Sequence, residues 1–121
     1  MRERGSATIL ALALLLMIVA VGLAVVAATQ IVTARTRAVI AADAAALAAA
    51  PMTFPPLGVQ TPLAAAIDFA AANGAVVTSC SCPVVDTFEP RSVEVEVRLA
   101  THVILVGDVA VSAVSRAEFV P

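Results

Sequence analysis

One stretch of twenty residues, Ile9 to Ala28, contains no polar side chain, and it constrains the fold more than any other feature. At 1.5 Å per residue, a helix of this length spans about 30 Å, the thickness of the hydrocarbon core of a bilayer. Twelve of the twenty residues are Leu, Ile or Val. They favour membrane insertion by about 4–7 kcal/mol if each contributes as it would at the centre of the segment. The stretch therefore predicts a membrane-spanning helix in contact with lipid.

Charged residues flank this segment on both sides, so the positive-inside rule gives a nearly balanced orientation. Arg2 and Arg4 precede it, and Arg35 and Arg37 follow it. Because the first pair is closer and the N-terminal tail is short, we predict a cytoplasmic N-terminus and an extracytoplasmic C-terminal module in the cell membrane. The alternative is a signal peptide cleaved after Ala28 that releases a small secreted binding module. An apolar stretch longer than 7–15 residues argues against cleavage.

Composition divides the chain into four parts. Residues 1–30 form the N-terminal tail and the membrane segment, and residues 31–50 continue the same helix outside the membrane. A loop with four prolines covers 51–62, and residues 63–121 form a small α+β module. The first helix is predicted to run from Ala7 to Ala50 and to stop at Pro51, because proline disrupts a helix interior.

The outer half of this helix carries small residues at spacings of three and four. Such a face lets a second helix approach closely, so it is a candidate subunit contact. The same alanines could instead pack on the chain's own domain, and the sequence leaves both interpretations open. Asp43 has no oppositely charged residue one turn away, so it either faces solvent or pairs with a neighbouring subunit. The candidate contact residues are Ala34, Ala38, Ala41, Asp43, Ala45 and Ala48.

A second helix is predicted to begin after Thr61, with Thr61 as its cap and Pro62 at its first position. It runs to about Asn73, and Gly74 suits the left-handed residue that follows a helix. Its predicted core face holds three apolar residues, with Asp68 turned outward: Ile67, Ala70 and Ala71.

Beyond Gly74 the pattern changes to that of strands. Residues 75–80 are rich in β-branched side chains, and residues 92–99 and 109–119 alternate apolar and polar positions with period two. Antiparallel pairing of the last two strands would place Arg116 opposite Glu94 or Glu96. The apolar run 103–106 is either a short strand or a patch that docks on a partner. Two helices followed by an antiparallel sheet predict an α+β fold.

The sequence lacks the patterns that catalysis or cofactor binding would require. It has no phosphate-binding glycine loop, no GxSxG and no HExxH, and its arginines are dispersed, so we predict no enzyme, cofactor, nucleic acid or small-molecule substrate. Cys80, Cys82 and His102 are too few for a zinc site. The two cysteines could form a strained disulfide with each other, bond to another chain or remain free thiols.

Three stretches together resemble a known family. They are the RGSAT sequence at 4–8, the RTRA sequence at 35–38 and the AADAAALAAA sequence at 41–50. This succession resembles the TadE/TadG-like proteins of Flp (tight-adherence) pilus and type II-like secretion clusters. It is closest to short actinobacterial TadE-like proteins encoded in a helicase and secretion-ATPase neighbourhood, and the AANGA sequence at 71–75 resembles a turn in those proteins.

The resemblance implies a pilin-like build and a membrane-anchored minor pilin or pseudopilin that contacts membrane lipid and other pilin-like or secretion-platform proteins. It also implies that Gly5 is the residue before a prepilin-peptidase cut. Processed pilins usually carry Glu five residues after that cut, whereas this chain has Leu10 there. The departure leaves open an uncut, anchored assembly factor.

Overall fold

The computed structural model describes residues 3–121, with side chains from Gly5 onward, so the predictions that rest on Arg2 and Arg4 fall outside it. Two helices precede a three-stranded antiparallel sheet, which confirms the predicted α+β class. The elements in chain order are α1 (Glu3–Met52), α2 (Pro62–Ala72), β1 (Val76–Ser81), β2 (Arg91–Val103) and β3 (Gly107–Phe119).

The first helix is longer than predicted at both ends. It comprises 50 residues, so it extends for about 75 Å. Pro51 does not stop the helix but lies within its last turn, where its missing N–H costs a single helical hydrogen bond, that to the carbonyl four residues earlier. Thr53 follows as a fully buried polar residue, and its hydroxyl donates a hydrogen bond of 2.7 Å to the carbonyl of Ala50.

The second helix has the predicted ends but presents a different face to the core. The Thr61 hydroxyl accepts a hydrogen bond from the N–H of Ala64, Pro62 opens the helix, and Gly74 has a φ of 76°. The predicted core face was wrong for Ile67 and Ala71, which are exposed. Apart from the exposed Asp68 the helix is apolar, so periodicity alone did not identify the buried face, which consists of Pro62, Ala65, Ala66 and Ala70.

The sheet has β2 at its centre, paired antiparallel with β1 on one side and with β3 on the other. Over the predicted range 92–99 of β2 the apolar side chains are buried and the charged ones face outward, as the alternation predicted. Glu94 lies opposite Arg116, and their side chains form an ion pair of 2.6 Å. This confirms the predicted cross-strand contact.

The run 103–106 is not a separate strand, and docking of this run on a partner stays a prediction. Val103 is the last residue of β2 and is buried, whereas Ile104, Leu105 and Val106 form the exposed turn between β2 and β3. The two long strands therefore make one hairpin, with pairs that extend from Arg91–Phe119 to Val103–Gly107. The sequence did not reveal this because the turn lacks the usual Asn, Asp or Pro.

The hydrophobic core lies between the outer half of α1 and the sheet. The helix contributes only alanines to this core, and β2 contributes Val93, Val95, Val97 and Leu99. Two buried alanines of α2 complete it, so residues 31–50 and the α+β module share a single core. Small side chains on the helix allow its backbone to lie close to the valines of the sheet.

Arg91 joins several segments at the end of the module that lies farthest from the apolar segment. Its guanidinium donates hydrogen bonds to the carbonyls of Thr53, Val85, Thr87 and Glu89. The same group lies over the ring of Phe119, 5.2 Å from the ring centre. That ring also contacts two others, and the three form one aromatic cluster: Phe54, Phe88 and Phe119.

Candidate functional site

The N-terminal half of α1 is not covered by any other part of the chain. Every described side chain from Gly5 to Val26 is exposed, and Ala27 is the first that is partly covered. These 22 residues extend for about 33 Å, close to the thickness of the hydrocarbon core. Gly5–Met52 contains one window that is long and apolar enough to cross a membrane, and none of that window is buried.

Most of the small residues predicted to contact another subunit face the chain's own core. Ala34, Ala38, Ala41 and Ala45 are buried against the sheet and α2, and Ala48 is half-buried. The sequence left two interpretations of these alanines open, and in the structure they pack on the chain's own domain. These four alanines therefore offer no surface to a second helix while the module is folded.

A different face of α1 remains exposed outside the apolar segment. Its residues recur at spacings of three and four, and we call this face the outer stripe: Val32, Thr36, Val39, Ile40, Asp43 and Leu47. Ile40 is 52% exposed and Leu47 is 68% exposed, although both are large and apolar. The sequence did not indicate this stripe because alanines dominate the outer half of the helix and recur most regularly on the opposite face.

Asp43 is the only charged residue of the outer stripe. Its carboxylate accepts a hydrogen bond of 2.5 Å from the hydroxyl of Ser115 in β3. The side chain is exposed, as one of the predicted alternatives required, but it is also held in place by the adjoining strand. Its second oxygen remains available for a partner, and an ion pair with a neighbouring subunit stays a prediction.

Both predicted processing positions lie within continuous helix. Gly5 is in the first turns of α1, and no atom lies within 4 Å of the position that a side-chain carbon would occupy there. Ala28 is exposed, and the helix continues without a break through it. Leu10, which stands where processed pilins usually carry Glu, is exposed among other apolar residues. Processing at either position stays a prediction.

The two cysteines form a disulfide with each other. Cys80 lies in β1 and Cys82 follows that strand, with 5.4 Å between their α-carbons, within the usual range for a disulfide. From the sequence, free thiols and a bond to another chain had been equally open, because a loop this short was expected to strain a disulfide. The structure has the bond between the two cysteines. Within the described part of the chain no cysteine is free.

His102 lies at the end of the hairpin nearest the apolar segment of α1 and not in an enclosed site. Its Nδ1 is 2.8 Å from the carboxylate of Asp108, and both side chains are largely exposed. It also lines an open groove of about 370 Å³ between α1 and β2, together with Gln30 and Arg37. Among residues 5–121 no three His, Cys, Asp or Glu side chains are grouped so that they could hold a metal ion.

Residues 5–52 match the model of a protein family described as "Putative Flp pilus-assembly TadE/G-like". The match spans α1 almost from end to end and confirms the resemblance found in the sequence over those residues. Pilus assembly, and not a catalytic activity, defines this family. Comparison with curated proteins and with solved structures finds no match.

Proposed function

From the premise that residues 5–52 are a TadE/G-like segment of the Flp pilus-assembly type, we propose that the chain is a minor pilin or pseudopilin-like subunit. It acts in a Flp-type pilus or a type II-like secretion assembly and is held in the cell membrane by the N-terminal half of α1. The module at its other end faces away from the cytoplasm. Its function is to contact other subunits, and it requires no bound cofactor.

The match between the exposed length of α1 and the thickness of a bilayer is the observation that carries the proposal. An uncovered apolar helix of about 33 Å would expose a large apolar surface to water and favour aggregation. Lipid tails would cover its side chains, and its backbone groups already satisfy one another through the helix. Since the module begins to cover α1 at Ala27, it would rest directly against the membrane surface.

The outer stripe supports the second half of the proposal, contact with other subunits. It continues along the same helix as the apolar segment, so a partner helix could follow α1 from the membrane into the extracytoplasmic space. Its apolar residues can be buried by such a partner, and Asp43 can fix the register by pairing with an oppositely charged group. The stripe thus replaces the alanine face as the proposed contact surface.

The mass of the native protein, recovered separately from membranes and from culture medium, tests the anchor. We expect a membrane species that contains residues 9–28, either intact or lacking residues 1–5. The second mass would identify Gly5 as a processing site. A species in the medium that begins at Thr29 would instead establish the secreted binding module and refute the anchored subunit.

Photo-cross-linking in the native cell tests the contact surface. A cross-linking residue at Ile40, in the outer stripe, is compared with one at Val59, which is 90% exposed in the loop after α1. We expect covalent products with other pilin-like subunits at Ile40 and few at Val59. Equal yields from both positions, or products only with unrelated proteins, would refute the proposed surface.

A further inference from the structure

We propose that the β2–β3 turn is a second membrane contact, which inserts its apolar side chains into the interfacial region of the same leaflet that α1 enters. The turn consists of Ile104, Leu105 and Val106, and we call it the hairpin tip. This inference rests on the membrane anchoring of α1 but does not depend on which side of the membrane the module occupies.

The direction of β2 places the hairpin tip at the membrane end of the module. Arg91, at the start of β2, donates a hydrogen bond to the carbonyl of Thr53, just beyond the far end of α1. Ile104, just after β2, donates its N–H to the side-chain oxygen of Gln30 at 2.8 Å. Gln30 lies two residues beyond the apolar segment, about 3 Å farther along the helix axis. The tip therefore meets α1 where the hydrocarbon core ends.

The groove beside the hairpin tip also shows where the tip lies along the axis of α1. Thr101 and His102 of β2 line this groove together with Val25 and Val26 of α1, which belong to the last turns of the apolar segment. The end of β2 thus already lies beside residues assigned to lipid. The tip continues from there, so its contact with lipid is continuous with that of α1.

The chemistry of the tip suits lipid better than water. Leu105 is 71% exposed and Val106 is 61% exposed, in a turn where polar residues or glycine would be usual. Leu105 also adopts a φ of 69°, a left-handed conformation that costs an ordinary residue free energy and that Asn or Gly would adopt more easily. A large apolar side chain at a position that disfavours it indicates that its apolar surface is used.

The polar groups around the tip are arranged as a membrane interface requires. Two backbone N–H groups are satisfied, that of Ile104 by Gln30 and that of Val106 by the carbonyl of Val103. This removes part of the cost of placing a turn near hydrocarbon. His102 and Asp108 flank the tip as an exposed pair, and Arg37 lines the adjacent groove, so charged groups would lie at the level of the lipid headgroups.

Site-specific fluorescence of the full chain in liposomes tests the insertion. Because Cys80 and Cys82 are bonded to each other, a single introduced cysteine can carry an environment-sensitive NBD label. The test position is Leu105→Cys, with Val106→Cys as a second position in case the first alters the turn. Leu15→Cys, in the apolar segment, is the lipid control, and Val59→Cys, in the loop after α1, is the water control. Lipids that carry a nitroxide at shallow or deep positions serve as quenchers.

We expect the tip labels to be blue-shifted and to lose emission mainly to the shallow nitroxide, Leu15→Cys mainly to the deep one, and Val59→Cys to neither. Tip labels as water-like as Val59→Cys, with Leu15→Cys still quenched, would overturn the insertion while the anchor stands. Failure of Leu15→Cys to be quenched would overturn both. A blue shift that increases with the protein-to-lipid ratio, without quenching by either nitroxide, would show that a second copy of the chain covers the tip. That result would overturn the inference.

Discussion

Replacement of Arg91 by methionine should destabilise the module far more than an exposed arginine-to-methionine change elsewhere on the same strand. Arg91 connects the start of β2 to the end of α1, the loop before β2 and the aromatic cluster. Methionine keeps much of the unbranched apolar stem but removes all of the guanidinium donors. The substitution therefore isolates the contribution of these polar contacts from that of packing.

The magnitude follows from what each contact loses. Hydrogen bonds to a charged group contribute about 1.5–3 kcal/mol each when their partners are left unsatisfied. Here the carbonyl of Thr53 keeps a second donor, the N–H of Val85, and the carbonyls of Val85, Thr87 and Glu89 can bind water in an exposed loop. We therefore expect about 2–3 kcal/mol from the hydrogen bonds and about 0.5–1 kcal/mol from the cation–π contact. The total is about 3 kcal/mol.

The control is Arg98→Met, which makes the same change in charge and size. Arg98 is exposed on the same strand, and its side chain forms no hydrogen bond or ion pair with any described residue. Substitutions at such positions change the free energy of unfolding by about 0.5 kcal/mol or less. The comparison of the two variants separates the role of Arg91 from the general effect of removing a positive charge.

The assay is thermal unfolding of the full chain in detergent micelles, followed by far-UV circular dichroism in the region where the sheet contributes. For a module of this size, a loss of 3 kcal/mol lowers the midpoint by roughly 12–24 °C. A protease that cleaves after aromatic residues should also cut after Phe88, which is exposed in the same loop, faster in Arg91→Met than in the wild-type chain. Equal midpoints for the Arg91 and Arg98 variants would refute the reasoning.

Three further predictions concern stability. Ala45→Leu should lower the free energy of unfolding by about 1–3 kcal/mol, because Ala45 is fully buried against the sheet. As its control, Ala71→Leu on the exposed face of α2 should be nearly neutral in the same thermal unfolding assay. Replacement of both Cys80 and Cys82 by serine should cost about 1–2 kcal/mol, given the very short loop, and unreduced wild-type protein should gain no mass from a thiol alkylating agent. Gly74→Ala should cost about 1–2 kcal/mol from backbone conformation alone, since its φ is 76° and no atom lies within 4 Å of the added carbon, and Gly74→Asn should cost less. A neutral Ala45→Leu would contradict the first expectation, alkylation of the unreduced protein the second, and a neutral Gly74→Ala the third.

Local signals in the sequence predict most of the secondary structure. The cap at Thr61, the proline that follows it and the glycine at 74 defined α2 because each satisfies a specific backbone requirement at a helix end. The alternation along β2 defined its buried face because a strand has only two faces. These patterns depend on neighbours in the sequence, so they could be recognised there.

The errors arose where the pattern fitted more than one arrangement. Helix α2 has a single polar residue, Asp68, so the choice between Ile67 and Ala66 for the core depended on the position of α1. The hairpin tip lacks the usual turn residues because, on our proposal, it meets lipid and not water. The partner of Asp43 is Ser115, 72 residues away, and no local pattern could indicate it.

The distribution of residue sizes around the outer half of α1 is the strongest general argument for a subunit contact. In a soluble domain the larger apolar residues are usually inside and the small ones are distributed on both sides. Here the inner face consists of alanines, while valine, isoleucine and leucine occupy the outer stripe. Alanine on the inside is explained by the close approach of the sheet. The larger residues outside are still 44–68% exposed within the described chain, so their full burial is expected only when a second helix covers them.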